Sequence, residues 1–188
     1  MEVNLFGILE EEKEINNDNK LLIDKENEYM NYIGAHKERV VRAYEDLKSR
    51  NFEDEEIRKA IEELGATIDE HDNSKYSDDE FDAYRRKYYP YEGEISDDVD
   101  EEFEIAWKHH YAVNPHHPEH YYNYELHTAI DMPLKYIIEM ICDWMSFGDN
   151  ARQWYYNNPS GKTEKDKVMT PYTIEWTEKL LDLFFPID

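Results

Sequence analysis

Apolar residues in this chain recur at intervals of three and four and form no convincing period-two run, so the chain can hide its hydrophobic surface only by packing helices. Tyr29, Ile33, Val40, Tyr44 and Leu47 form one stripe, which starts near Asn27 and extends to about Ser49. A second helix, opened by the acidic residues Glu53 to Glu56, carries Ile57, Ile61, Leu64 and Ile68, and Gly65 can split it in two. The SDDE pattern from Ser77 to Glu80 predicts a capping box and a third helix that ends at Pro90. An acidic stretch, Glu92 to Glu102, leads into a helix with Phe103 and Trp107 on one side, stopped by Pro115. Pro133 opens a strongly apolar helix to about Phe147, and Thr170 with Pro171 opens a last one ending at Pro186. The expected fold class is all-α, a helical bundle.

At 188 residues the chain suits one domain with a real core. Residues 1–26, acidic and Asn-rich with one apolar patch (Val3, Leu5, Phe6, Ile8, Leu9), read as an N-terminal arm or docking helix, and residues 27–188 as the helical domain. With 45 acidic against 21 basic residues the formal charge is −24, which repels a nucleic-acid backbone and sets general nucleic-acid binding aside. The single cysteine, Cys142, lies in an apolar run as a buried thiol, which fits a reducing, cytoplasmic setting. No stretch reaches the roughly 18 apolar residues of a membrane span, and the first residues lack the pattern of a secretory leader, so neither membrane insertion nor secretion is expected.

Three polar side chains break the apolar stripes. His36, His71 and Asp143 each occupy a position where the helical period asks for a hydrophobe, and Asp72 stands beside the second. A buried ionisable group is costly unless paired or metal-bound, and three on separate helices point to one shared centre. Imidazole and carboxylate without thiolate suit Mn, Fe, Ni, Co or Zn.

His36, then HDNSK from His71 to Lys75, then CDW with Asp143, resembles the H…HD…D signature of HD-domain metalloproteins, over roughly residues 28–148. More narrowly, HDNSKYSDDEF, AWKHHYAVNPHHPEHY and MPLKYIIEMICDW look like a domain family of phages and bacteria. The HD resemblance implies a helical bundle in which His36, His71, Asp72 and Asp143 bind a divalent transition metal, with the Asp bridging when a second ion is present. It also implies hydrolysis of a nucleotide or other small phosphoester by metal-activated water, with Asp72 and Lys75 as the catalytic pair. Lys75 follows the HD dipeptide by three residues, where it can bind a substrate oxyanion.

Five of the eight histidines, His109, His110, His116, His117 and His120, fall between positions 109 and 120. His110 continues the Phe103 and Trp107 face, whereas His109 points about 100° away. His116 and His117 follow the Pro115 stop and can fold back to complete a second metal position. The set His36, His71, Asp72, His110, His117 and Asp143 matches the four His and two Asp of the mixed-valent di-iron oxygenases of the HD class, an alternative to the hydrolase. Lys75, His116, His120 and Arg85 are the candidate substrate contacts. A third reading is a non-catalytic acidic protein or phage inhibitor that keeps a structural metal and binds a basic partner. Oligomeric state is left open by the sequence.

Overall fold

A computed structural model describes residues 5–94, 96–148, 151–157 and 168–186, with side chains from Asn19 onward apart from Trp154 and Asn157. The described residues are mostly helical: α1 (Leu5–Ser49), α2 (Glu55–Leu64), α3 (Phe81–Tyr88), α4 (Val99–Val113), α5 (Leu134–Ser146), α6 (Ala151–Asn157) and α7 (Pro171–Phe184). The only sheet among them is a hairpin that pairs Tyr122–Asn123 with Thr128–Ala129 antiparallel, opposing Tyr122 to Ala129. Two residues per strand are too few to leave an alternating pattern, which is why the sequence shows none. Among the described residues no helix is long and apolar enough to cross a membrane.

Helix α1 begins at Leu5 and passes position 27 without a break, so the expected arm is continuous with the first helix of the domain. The physical reason is compositional: no proline interrupts its run of Glu, Lys, Leu and Ile. The apolar side chains of the arm lie outside the described residues. From Tyr29 the expected stripe is buried, with Tyr29, Ile33, His36, Val40, Tyr44 and Leu47 all facing inward.

Helix α2 is capped by Asp54, whose carboxylate accepts from the amides of Glu56 (3.0 Å) and Ile57 (3.4 Å). It ends at Leu64, and Gly65 is required there by close approach, since a Cβ would run into the Tyr44 hydroxyl of α1. Ile68 therefore falls on a separate 3₁₀ turn, Ile68–Glu70, rather than on an unbroken helix. At the other end of the chain the Thr170 hydroxyl caps α7 by accepting from Thr173 N, 3.2 Å away. The Thr173 hydroxyl in turn accepts from Met132 N at 3.1 Å, tying α7 to the segment that leads into α5.

The apolar surface divides into two clusters. The larger joins α1, α2, α5, α6 and α7 through Val40, Leu47, Ile57, Leu64, Ile138, Ile141 and Leu180. Each such side chain contributes about 1.5–3 kcal/mol by leaving water. The smaller, rich in aromatics, joins α1, α3 and α4 through Tyr29, Ile33, Tyr84 and Ala106, flanked by Phe81 and Phe103. Along the α1 stripe His36 stands between Ile33 of the aromatic cluster and Val40 of the aliphatic one.

Candidate metal centre

His71 and Asp72 are not on a helix, as the apolar spacing predicts, but between two 3₁₀ turns, Ile68–Glu70 and Asn73–Tyr76. Asp72 takes a left-handed conformation, φ 55°, ψ 21°. For a residue with a Cβ that costs about 1–2 kcal/mol. Consecutive residues of a helix diverge by about 100°. The reversal of hand at Asp72 instead lets both neighbours turn inward.

Four elements meet there. His36 Nε2, from α1, lies 3.3 Å from Asp72 Oδ2 and 3.2 Å from Asp143 Oδ1, from α5. His71 Nε2 lies 3.6 Å and 3.7 Å from the same two oxygens. The other oxygen of Asp72, Oδ1, faces a different set, with His110 Nε2 of α4 and His116 Nε2 each 3.4 Å away. His117 Nε2 is 3.0 Å from His110 Nε2. Pro115 stops α4, and a turn closed by His117 N donating to Asn114 O (3.2 Å) folds the two histidines back over the helix end. His36, His71 and Asp143 thus form one group of donors and Asp72, His110, His116 and His117 a second, the atoms of each group lying within 4.8 Å of one another.

The donors fit a metal ion on three counts. Ligand atoms about 2.0–2.2 Å from one ion lie about 3 to 3.6 Å apart, and neighbouring donor atoms here are separated by 3.0 to 3.7 Å. Nε2 of His36, His71 and His116 and Oδ1 of Asp72 are buried without a hydrogen-bond partner, an arrangement costly for four converging polar atoms unless something sits among them. Three of the donor histidines are held from behind at the opposite nitrogen: His36 Nδ1 by Ser146 Oγ (3.0 Å), His71 Nδ1 by Glu139 Oε1 (2.9 Å) and His110 Nδ1 by Glu80 Oε2 (2.8 Å). Such backing carboxylates and hydroxyls fix the ring so that Nε2 is presented to the ion.

Without an ion, the charges hold one another. Burial works against ionised Asp72 and Asp143, but His71 and Lys75 beside Asp72, and His36 and His71 beside Asp143, keep both carboxyls well below their usual range. Burial also opposes the imidazolium of His71, yet the Asp72 charge, the neighbouring Asp143 carboxylate and the hydrogen bond to Glu139 push it up to about 10. His36 is raised as well, the Asp143 and Asp72 carboxylates beside it outweighing burial. His116 and His117 go the other way, through burial and neighbouring imidazoles, His117 to about 3, so both keep neutral lone pairs.

Most residues singled out from the sequence converge: His36, His71, Asp72, His110, His117 and Asp143 supply donor atoms. Lys75 Nζ lies 2.7 Å from Asp72 Oδ2. His116, expected as a substrate contact or as part of a second metal position, stands among the candidate donors, because the turn after Pro115 carries it inward beside His117. His120 is exposed and leans on Tyr111 O at 3.2 Å, one 3₁₀ turn beyond the cluster. Arg85 is buried against Glu94, with Nη1 donating to Oε2 at 2.6 Å, and does not reach the centre.

Glu80, Glu139, Ser146 and Asn114 escaped the sequence reading. Glu80 fits the capping-box pattern, yet α3 starts only at Phe81 and the Glu80 carboxylate turns inward to serve both His110 and His109, each 2.8 Å away. Glu139 carries the better signal, an acid one helical turn before Asp143 in an otherwise apolar run.

Fold and site together define an all-α protein whose buried His, Asp and Glu groups are able to hold a metal ion. The chain belongs to the family DUF5662, described as a family of unknown function, which it matches over residues 25–183 and so across every donor from His36 to Asp143. No curated protein and no solved structure matches it.

Proposed function

We propose that the chain is a metal-dependent phosphohydrolase of the HD type, acting on a nucleotide or other small phosphoester with two divalent ions held on either side of Asp72. The observation that carries this reading is the split between the two Asp72 oxygens, Oδ2 toward His36 and His71, Oδ1 toward His110 and His116. A carboxylate with one oxygen for each donor set is what a two-metal clamp on an in-line displacement requires. When bound, such ions supply an acidified water, with a pKa near 7 in the best zinc case, and charge for the phosphoryl oxygens.

The chain's own residues do the rest. His116 and His117 offer lone pairs without first losing a proton, while Asp72 and Asp143 stay ionised. Asp72 lifts Lys75 further toward its ammonium form against the burial that opposes it, so at this otherwise acidic protein's site a cation is ready for a phosphoryl oxygen. Phe147 and Tyr32 lie against His36, with ring centroids 5.1 and 6.1 Å away, and shield that side from water. Counting Asp72 in both groups gives each ion up to four protein donors, which would close a tetrahedral site. Hydrolysis therefore calls for an ion of higher coordination number, such as Mn, Fe, Co or Ni, that keeps positions for water and phosphate.

The five imidazoles of the donor set also suit iron, which keeps the di-iron oxygenase as a second reading. Elemental analysis of protein purified without a histidine tag, joined to turnover of a phosphoester panel before and after chelation, separates the readings. About two equivalents of Mn, Co or Ni with chelator-sensitive phosphate release is the expected result. Two of Fe without phosphate release favours the oxygenase, and absence of any metal overturns both.

A further inference from the structure

Beside the donor cluster, between α1 and α3, lies a slot of about 550 Å³ with Lys75 in its lining. Its walls are rings: Tyr29 and Tyr32 from α1, Tyr84, Tyr88 and Tyr89 from and just after α3, with Phe147 closing the far side. Tyr88 and Phe147 are the exposed rim, whereas Tyr29 and Tyr84 are buried. The slot abuts the centre, since the Lys75 ammonium reaches Asp72 and both Tyr32 and Phe147 lie against the His36 ring.

Two features mark it as more than a gap between helices. The hydroxyls of Tyr29 and Tyr84 are buried without any hydrogen-bond partner, although a buried O–H normally finds one. Both residues line the slot. Lys75 is the single cation of the lining, held over the Tyr84 ring at 5.6 Å from its centroid.

We propose that this slot receives the leaving group of the substrate, and that the substrate is a phosphate monoester of a flat, uncharged ring. The inference rests on the hydrolase reading for the reaction but not for the binding. Aromatic walls recognise a ring by its face, through stacking, and are indifferent to the pattern of its edges. One ammonium in the lining matches one phosphate, and an overall charge of −24 disfavours the extra charge of a di- or triphosphate. A nucleobase and a simple phenol share this chemistry.

The test is an equilibrium titration of the Mn-loaded protein with phenylphosphonate and methylphosphonate, neither of which can be hydrolysed as an ester. Phenylphosphonate binds at least about fivefold more tightly in the wild type. In Tyr88→Ala, a change at an exposed rim position that the fold tolerates, the preference falls toward unity. Phe147→Ala, equally exposed, does the same. Equal binding of the two phosphonates by the wild type overturns the slot, even if esters are hydrolysed. A ring preference that Tyr88→Ala and Phe147→Ala both leave intact overturns it as well. A ring preference without turnover of any ester leaves the slot standing and removes the hydrolase. Where turnover is present, phenyl phosphate and adenosine monophosphate compared with glycerol phosphate identify the source of the ring, and no advantage of either over glycerol phosphate again counts against the slot.

Discussion

Glu139 Oε1 stands 2.9 Å from Nδ1 of His71, and that contact decides which imidazole nitrogen is left for a metal ion. The same oxygen is 3.5 Å from Nδ1 of His116, so one carboxylate backs a histidine of each donor set. Removing its charge with Glu139→Gln should weaken metal binding by about 10–100-fold while leaving the stoichiometry intact. Competition against a chelator of known affinity measures it, and an unchanged affinity would show that Glu139 only fills space.

The left-handed Asp72 predicts an order among its substitutions. Asp72→Ala and Asp72→Gly both lose the bridging carboxylate, and metal content should fall in each. In chelator, however, Gly should be the more stable by about 1–2 kcal/mol, because only the alanine keeps a Cβ in the unfavourable region. Denaturant unfolding of the two metal-free variants makes the comparison. Equal stabilities would mean that the backbone relaxes when the charge is lost.

The charges set a pH dependence. The folded-state pKa of His71, about 10 against an ordinary 6.5, means that its pairing stabilises the metal-free protein fully below pH 6.5 and is lost as pH rises toward 10. Asp72 and Asp143 are depressed, so their contribution is present above the ordinary 3.8 and disappears on acidification below it. The melting temperature in chelator should therefore decline between pH 7 and 10, where metal affinity increases because His71 must give up its proton to ligate. Calorimetric titrations in buffers of different ionisation heat should register proton release on metal binding. A flat melting profile across that range would contradict the charged state assigned to His71.

Adjacent histidines should separate. His110→Ala removes a donor of the second group and should lower metal stoichiometry by about one equivalent. His109, which reaches the centre only through Glu80 at 2.8 Å, should on replacement by alanine alter affinity and not stoichiometry. The reverse ranking would place the wrong face of α4 toward the cluster.

Away from the site, Gly65→Ala should destabilise by about 1–3 kcal/mol, since its Cβ meets the hydroxyl of the buried Tyr44. Tyr44→Phe should recover much of that loss in the double variant. Additive effects in thermal unfolding would sink the explanation.

The parts of this architecture that follow local rules are visible in the sequence. The α1 stripe, the Thr170 cap and the stops at Pro115 and Pro186 each depend on residues within a turn of one another. His36 and Asp143 stand out because they interrupt apolar periods on true helices. His71 fits the same period by coincidence of spacing, for its backbone has already left the helix at Gly65, the weak helix former at which the sequence allows a break and whose missing side chain leaves room for Tyr44. Glu80 was hidden by a competing local use, whereas the fold-back of His116 and His117 is legible from the stop at Pro115. The hand of Asp72 has no local signature, since nothing in HDNSK demands it.

Helix α1 runs through both hydrophobic clusters, and the donors are divided between them. His110 comes from the side of α3 and α4, Asp143 and the backing Glu139 from α5, and His36 from the seam on α1 itself. On the proposed function, a metal pair at that seam would act as a keystone for folding as well as a reagent. With it in place the two halves would unfold as one cooperative unit; stripped of it, the aromatic half around Tyr29 and Tyr84 would become a separate foldon, free to open and exchange its amide protons while the aliphatic half remains closed.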